Sequence, residues 1–162
     1  TDKDWGFSLL YMPQAVLQSG GSNNNYYVEV DSSNNSDTTI IVGIYRSGLE
    51  PVEPVTVDLV VDADTLSYLI NEANKPDADS KFSLYKNAEI LDQKYYEIPP
   101  TLSLEKGQRD NYDYIILHKD LLWEDDALDD ARFILPLRIQ NPTRYELNES
   151  LSITLFVFTR NK

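Results

Sequence analysis

Four aspartates crowd into WEDDALDD, and Asp125, Asp126, Asp129 and Asp130 form the densest group of chemically able side chains in the chain. Carboxylate oxygens supplied by one loop are hard ligands of the kind calcium takes. The spacing has neither the EF-hand pattern nor its glycine. A glycosidase would also need two carboxyls, held about 5 to 9 Å apart across a sugar. Neighbours on one surface loop do not make that cleft, and a run of like charge is ordinarily a solvated face. Calcium is therefore the metal these residues would take, no other cofactor is expected, and no catalytic role is assigned to them.

Aromatic rings are the second resource. Trp5, Trp123, Tyr95 and Tyr96 fall in predicted loops or element ends, where an exposed ring can stack on the apolar face of a pyranose. The ordinary role of such rings is packing at the rim of a sandwich, with the ring buried and the polar tip wet. The single histidine, His118, leaves only one possible base for a Ser-His-Asp triad and excludes a multi-histidine metal site within one chain. The absence of cysteine removes disulfides, zinc-thiolate sites and thiol nucleophiles together. A net charge of -13 and a pI near 4.3 argue against nucleic acid as a partner, because affinity there comes from Lys and Arg neutralising phosphates. The apolar runs are too short to span a bilayer.

The elements that would position these residues are mostly strands. Val55 to Val61 alternates Val55, Val57, Leu59 and Val61 on one face, a period of two. The period then changes: Leu66, Leu69, Ile70 and Ala73 fall on one face of a short helix, which Asp62 or Asp64 can cap. Further strands are predicted at Tyr26 to Val30, Thr38 to Arg46, Thr101 to Glu105, Tyr112 to Leu117, Phe133 to Gln140 and Leu151 to Phe158. In the last of these Leu151, Ile153, Leu155 and Val157 are expected inward, which turns Phe156 and Phe158 away, either under other parts of the sandwich or toward a neighbouring domain. Pro136, outward in its strand, implies an edge position or a bulge, since proline has no ladder donor. AEIL (Ala88 to Leu91) reads as a helical turn, and Lys119 to Ala131 as an acidic loop with a helical turn. Seven or eight strands separated by Gly, Pro, Asn and Ser clusters argue for one mostly β domain over residues 1–162, an antiparallel sandwich with one short helix after the Val55 to Val61 strand. A domain of this length can bury roughly 70% of its unfolded surface and needs no staples.

Six stretches in one order also resemble a known family. They are YMPQA (Tyr11 to Ala15), VGIYRSG (Val42 to Gly48), VTVDLVVDADTLSYLI (Val55 to Ile70), YYEIPPTLSLEKGQ (Tyr95 to Gln108), ILPLRIQN (Ile134 to Asn141) and YELNESLSITLFVF (Tyr145 to Phe158). Together they resemble the domain of unknown function that opens many Bacteroidetes surface lipoproteins. The resemblance implies an immunoglobulin-like β-sandwich placed after a lipoprotein signal. A family 18 glycoside hydrolase, discoidin-like or concanavalin-like carbohydrate-binding domain would follow it. It brings no catalytic residues. The expected protein is thus a non-catalytic spacer or adhesion-type module at the cell surface, in the outer membrane through an upstream lipid anchor, or in the periplasm. Its expected partners are the downstream domain of the same polypeptide and polysaccharide. A carbohydrate-binding module using loop aromatics is the alternative, and a glycoside-processing enzyme the third reading.

Overall fold

The computed structural model describes residues 8–16, 24–31, 38–124 and 132–161. In chain order its elements are β1 (Leu9–Tyr11), β2 (Asn25–Asp31), β3 (Thr38–Arg46), β4 (Val55–Val61), α1 (Ala63–Ala73), β5 (Ala88–Ile90), β6 (Tyr96–Glu97), β7 (Thr101–Leu104), β8 (Asp110–Leu117), α2 (Lys119–Glu124), β9 (Arg132–Gln140), β10 (Glu146–Leu147) and β11 (Ile153–Asn161). A five-stranded sheet runs β10-β1-β3-β8-β6, and a six-stranded sheet runs β2-β11-β9-β4-β7 with β5 docked on β9. The two sheets form the mostly β, immunoglobulin-like sandwich expected, with a short helix after β4. Most pairings are antiparallel, while β10 on β1, β2 on β11 and β5 on β9 are parallel.

Three layers follow from which faces are apolar. Ile40, Val42 and Ile44 of β3 meet Val57 and Leu59 of β4 and Leu135, Leu137 and Ile139 of β9 between the sheets. A second cluster lies outside the six-stranded sheet, where Leu66 and Ala73 of α1 cover Ile134, Leu155 and Val157. Because both of its faces are covered, β9 is buried continuously from Phe133 to Leu137, as strands sandwiched between two layers are.

This double burial corrects the reading of β11. Phe156 and Phe158, both 0% exposed, belong to the core between the sheets, and Leu155 and Val157 lie beneath the helix layer. Pro136 is corrected too. It sits in an interior strand, opposite Leu155 of β11. Along the other edge of β9, β4 takes residues 137–140 and β5 takes residues 132–134. The Pro136 carbonyl accepts from the Asp62 N–H at 2.9 Å on that edge. A residue's amide and carbonyl face the same neighbour in an antiparallel pair, so the missing donor falls in the gap between β4 and β5. Ala88 to Leu91, expected as a helical turn, is extended instead, with Ala88–Ile90 forming strand β5: its pairing with β9 and the bond from Leu91 N–H to Ile134 O at 2.9 Å outweigh its local preference.

Helix α1 begins as its sequence indicates. The Asp62 carboxylate accepts from Thr65 N–H at 3.1 Å, from Thr65 Oγ1 at 2.7 Å and from Arg138 Nε at 2.7 Å. Burial alone would raise this carboxyl's pKa, but the hydrogen bonds from Thr65 and Arg138 hold it below the usual carboxylate value. A depressed folded-state pKa contributes stability above the unfolded value near 4, and that contribution is lost as pH falls through the folded value. Asp62→Ala is expected to destabilise the domain by about 2 kcal/mol at neutral pH, from the lost cap and an unpaired Arg138. Urea titrations at pH 7 and at pH 3 check this, and the difference between wild type and variant should shrink at the acid pH.

Candidate functional site

The connection from β3 to β4 carries the chain from one sheet to the other, and two arginines and a tyrosine fasten it. Arg46 continues the inward face of Ile40, Val42 and Ile44, so its guanidinium is drawn inside, where it is 0% exposed. Its Nη1 donates to Ser8 Oγ, its Nη2 donates to the Glu50 carbonyl, and its Cζ lies 4.8 Å from the centre of the Tyr145 ring. Among the described residues the Nε has no hydrogen-bond partner. Arg109 donates to the Glu50 carbonyl as well, at 3.3 Å, and to the Arg46 carbonyl at 3.2 Å. The Tyr145 hydroxyl accepts from Glu53 N–H at 2.8 Å. Through these bonds the buried Arg46 fastens the connection between the sheets.

An open cleft of about 590 Å³ lies between the end of β4 and the start of β6, lined by Val61, Asp92, Gln93, Lys94, Tyr96 and Ile98. Asp92 shapes it. Its side chain accepts from Lys94 N–H at 3.0 Å, which closes the turn before β6 and sets the Tyr96 ring at the cleft wall. Burial, with the nearby Asp92 carboxylate second, raises the Tyr96 hydroxyl above its usual pKa. Among the described residues that line it, Asp92 is the one carboxylate, so no pair of carboxyls faces across the cleft.

The aromatics singled out from sequence have separate fates. Tyr96 lines this cleft, half-buried. Tyr95 is only 3% exposed and its ring packs in the core, with Lys94 Nζ 5.0 Å from the ring centre on its outer side. Trp5 lies outside the described residues, as does the side chain of Trp123, whose backbone belongs to α2. Asp125, Asp126, Asp129 and Asp130 lie outside them too. Among the described residues no three His, Cys, Asp or Glu side chains are grouped to hold a metal, and no helix is long and apolar enough to cross a membrane. The His118 Nε2 is 3.0 Å from a Glu97 carboxylate oxygen, and the His118 backbone N–H donates to the Tyr95 carbonyl at 2.7 Å. Missed from sequence is a row of exposed tyrosines on strands. Tyr112 and Tyr114 alternate with Asp113 in NYDYIIL, and the signal was that period of two.

Solved structures of Bacteroides proteins share the fold. A Bacteroides ovatus protein of unknown function is 24% identical, with a TM-score of 0.67 over 99% of this chain and 47% of that one. A Bacteroides ovatus multidomain protein including DUF1735 is 22% identical, with a TM-score of 0.64 over 88% of this chain and 43% of that one. Bacteroides thetaiotamicron EndoBT-3987, solved with a Man5GlcNAc product, is 13% identical, with a TM-score of 0.57 over 93% of this chain and 30% of that one. The chain spans half or less of the length of these three structures. No curated protein matches it. A family model describing an N-terminal domain matches residues 7–146, and the chain belongs to that N-terminal-domain family.

Proposed function

We propose that the chain is a non-catalytic N-terminal module of a longer surface protein that binds or degrades glycan, and that it acts as a spacer holding the downstream domain away from the membrane. The observation that carries this reading is the coverage: 99% and 88% of the chain align with less than half of two Bacteroides ovatus relatives, the second of them a multidomain protein. The core between the sheets and the second cluster beneath α1 give the stiffness a spacer needs. The likeness to EndoBT-3987, solved with a glycan product, supports a glycan-handling context, and an upstream lipid anchor would place the module at the outer surface.

The test uses the full-length polypeptide on intact cells. Deleting residues 1–162 should reduce protease accessibility and glycan binding or turnover by the downstream region, and replacing them with an unrelated sandwich of similar length should restore both. Failure of the replacement to restore them would overturn the spacer role.

A further inference from the structure

The two sheets treat their outer faces differently. Helix α1 covers the six-stranded sheet, whereas the outer face of the five-stranded sheet presents tyrosines to solvent. Tyr112 and Tyr114 are 46% and 53% exposed. Tyr45 lies across from Asp110 in the β3-β8 register, and Tyr11 lies across from Tyr45 in the β1-β3 register. The Tyr11 and Tyr45 rings are 5.2 Å apart, centre to centre. Tyr112 and Tyr114 stand two residues apart on one strand, and Tyr112 is a diagonal neighbour of Tyr45. The last two steps are each roughly 7 Å, and because the path turns from across the strands to along β8, the strip spans roughly 17 Å from Tyr11 to Tyr114.

The strip is organised. Tyr112 faces Gly43 across the strands, and a Cβ at Gly43 would come within 2.7 Å of Tyr112 Cδ1, so the ring lies down on the bare glycine. The Tyr112 hydroxyl then donates to Asp110 Oδ2 at 3.1 Å. The neighbouring edge of β8 is closed to an added strand by its own side chains. Tyr112 N–H donates to Asn111 Oδ1 at 2.9 Å and Tyr114 N–H to Asp113 Oδ1 at 2.8 Å, which removes the free donors that strand addition requires.

We infer that this tyrosine strip binds an extended, neutral polysaccharide, whose sugar rings stack on Tyr11, Tyr45, Tyr112 and Tyr114 and whose hydroxyls donate to Asp110 and to Glu97, which lies across from Ile116 of β8 on the same face. Several observations select this occupant. Tyrosine offers an apolar ring with a wet edge, and ionised carboxylates at the border are acceptors only, which suits a ligand rich in hydroxyl donors. A chain of net charge -13 repels anionic polymers and a second copy of itself. A strip of this length fits a polymer rather than a single sugar. The inference rests on the glycan-handling context proposed above and adds to the spacer a contact of its own.

The test is affinity electrophoresis of the 162-residue chain through native gels containing yeast mannan, barley β-glucan, xyloglucan or arabinoxylan, with polygalacturonate as the anionic control. At least one neutral polymer should retard the wild type and polygalacturonate should not. Tyr112→Ala/Tyr114→Ala should weaken retention at least tenfold while melting within a few degrees of wild type, since both rings are exposed. Tyr96→Ala, in the separate cleft, should leave retention unchanged. Iodination of the wild type gives a readout independent of any variant, with bound polymer protecting Tyr112 and Tyr114. No retention in any neutral gel, retention undiminished in the double variant, loss through Tyr96→Ala, or no protection would overturn the assignment. None of these results bears on the spacer reading, which the domain replacement tests separately.

Discussion

Phe156→Ala is expected to destabilise the domain by about 3 to 5 kcal/mol, the range for a large aromatic removed from a packed core. Phe156 is 0% exposed between the sheets and its ring centre lies 5.4 Å from that of Tyr26, so it joins β11 to its neighbour β2 as well as filling the core. Against a total stability of 5 to 15 kcal/mol typical of domains, that loss brings the fold near its limit. Equilibrium urea denaturation measures it. Val157→Ala, beneath α1 in the smaller second cluster, removes less volume and should cost clearly less. Equal costs would mean that the two faces of β11 contribute alike and that the core between the sheets does not dominate.

Arg46 carries the second large expectation. Arg46→Ala removes a fully buried side chain, a ring contact to Tyr145 and a donor to the Glu50 carbonyl in one step. A loss of about 3 kcal/mol or more is expected, in the class of broken buried polar networks. Arg46→Lys should be nearly as damaging, because an ammonium cannot reach Ser8 and Glu50 with one planar fork and remains a buried charge. Arg46→Met should be milder than either, since it keeps most of the volume and removes both the charge and the unpartnered Nε. Thermal melts of the three variants rank them. A methionine variant that melts below the lysine variant would show that the charge itself stabilises this connection.

The β4-α1 stretch is legible in sequence because its apolar period changes from two to the helical spacing, and because Asp62 stands where a cap is needed. The orientation of β11 is not legible. In ITLFVF both alternating sets are apolar, and alternation identifies an inward face only when the other face is wet. Pro136 misleads for a related reason. A missing donor excludes a strand interior only if a neighbour needs it there, and here two partners divide one edge of β9 and leave a gap at the proline. The short strands β5, β6 and β10 exist through docking and have too few residues to show a period. Of the candidate aromatics, Tyr96 is found at a cleft wall and Tyr95 inside, a distinction between adjacent residues that depends on the turn closed by Asp92. The tyrosine strip spans three strands that are distant in sequence, so no local window contains it.

Strand β11 has a mechanical consequence. It is hydrogen-bonded on both sides, along residues 155–161 to β2 and along residues 153–158 to β9. Tension applied at Asn161 acts along the strand axis, perpendicular to both ladders, so their bonds share the load and must yield together instead of opening one after another. Forced unfolding is governed by the unfolding rate, and shear across two ladders is a slow route. A pull on Asn161 along the strand is therefore met by both ladders at once.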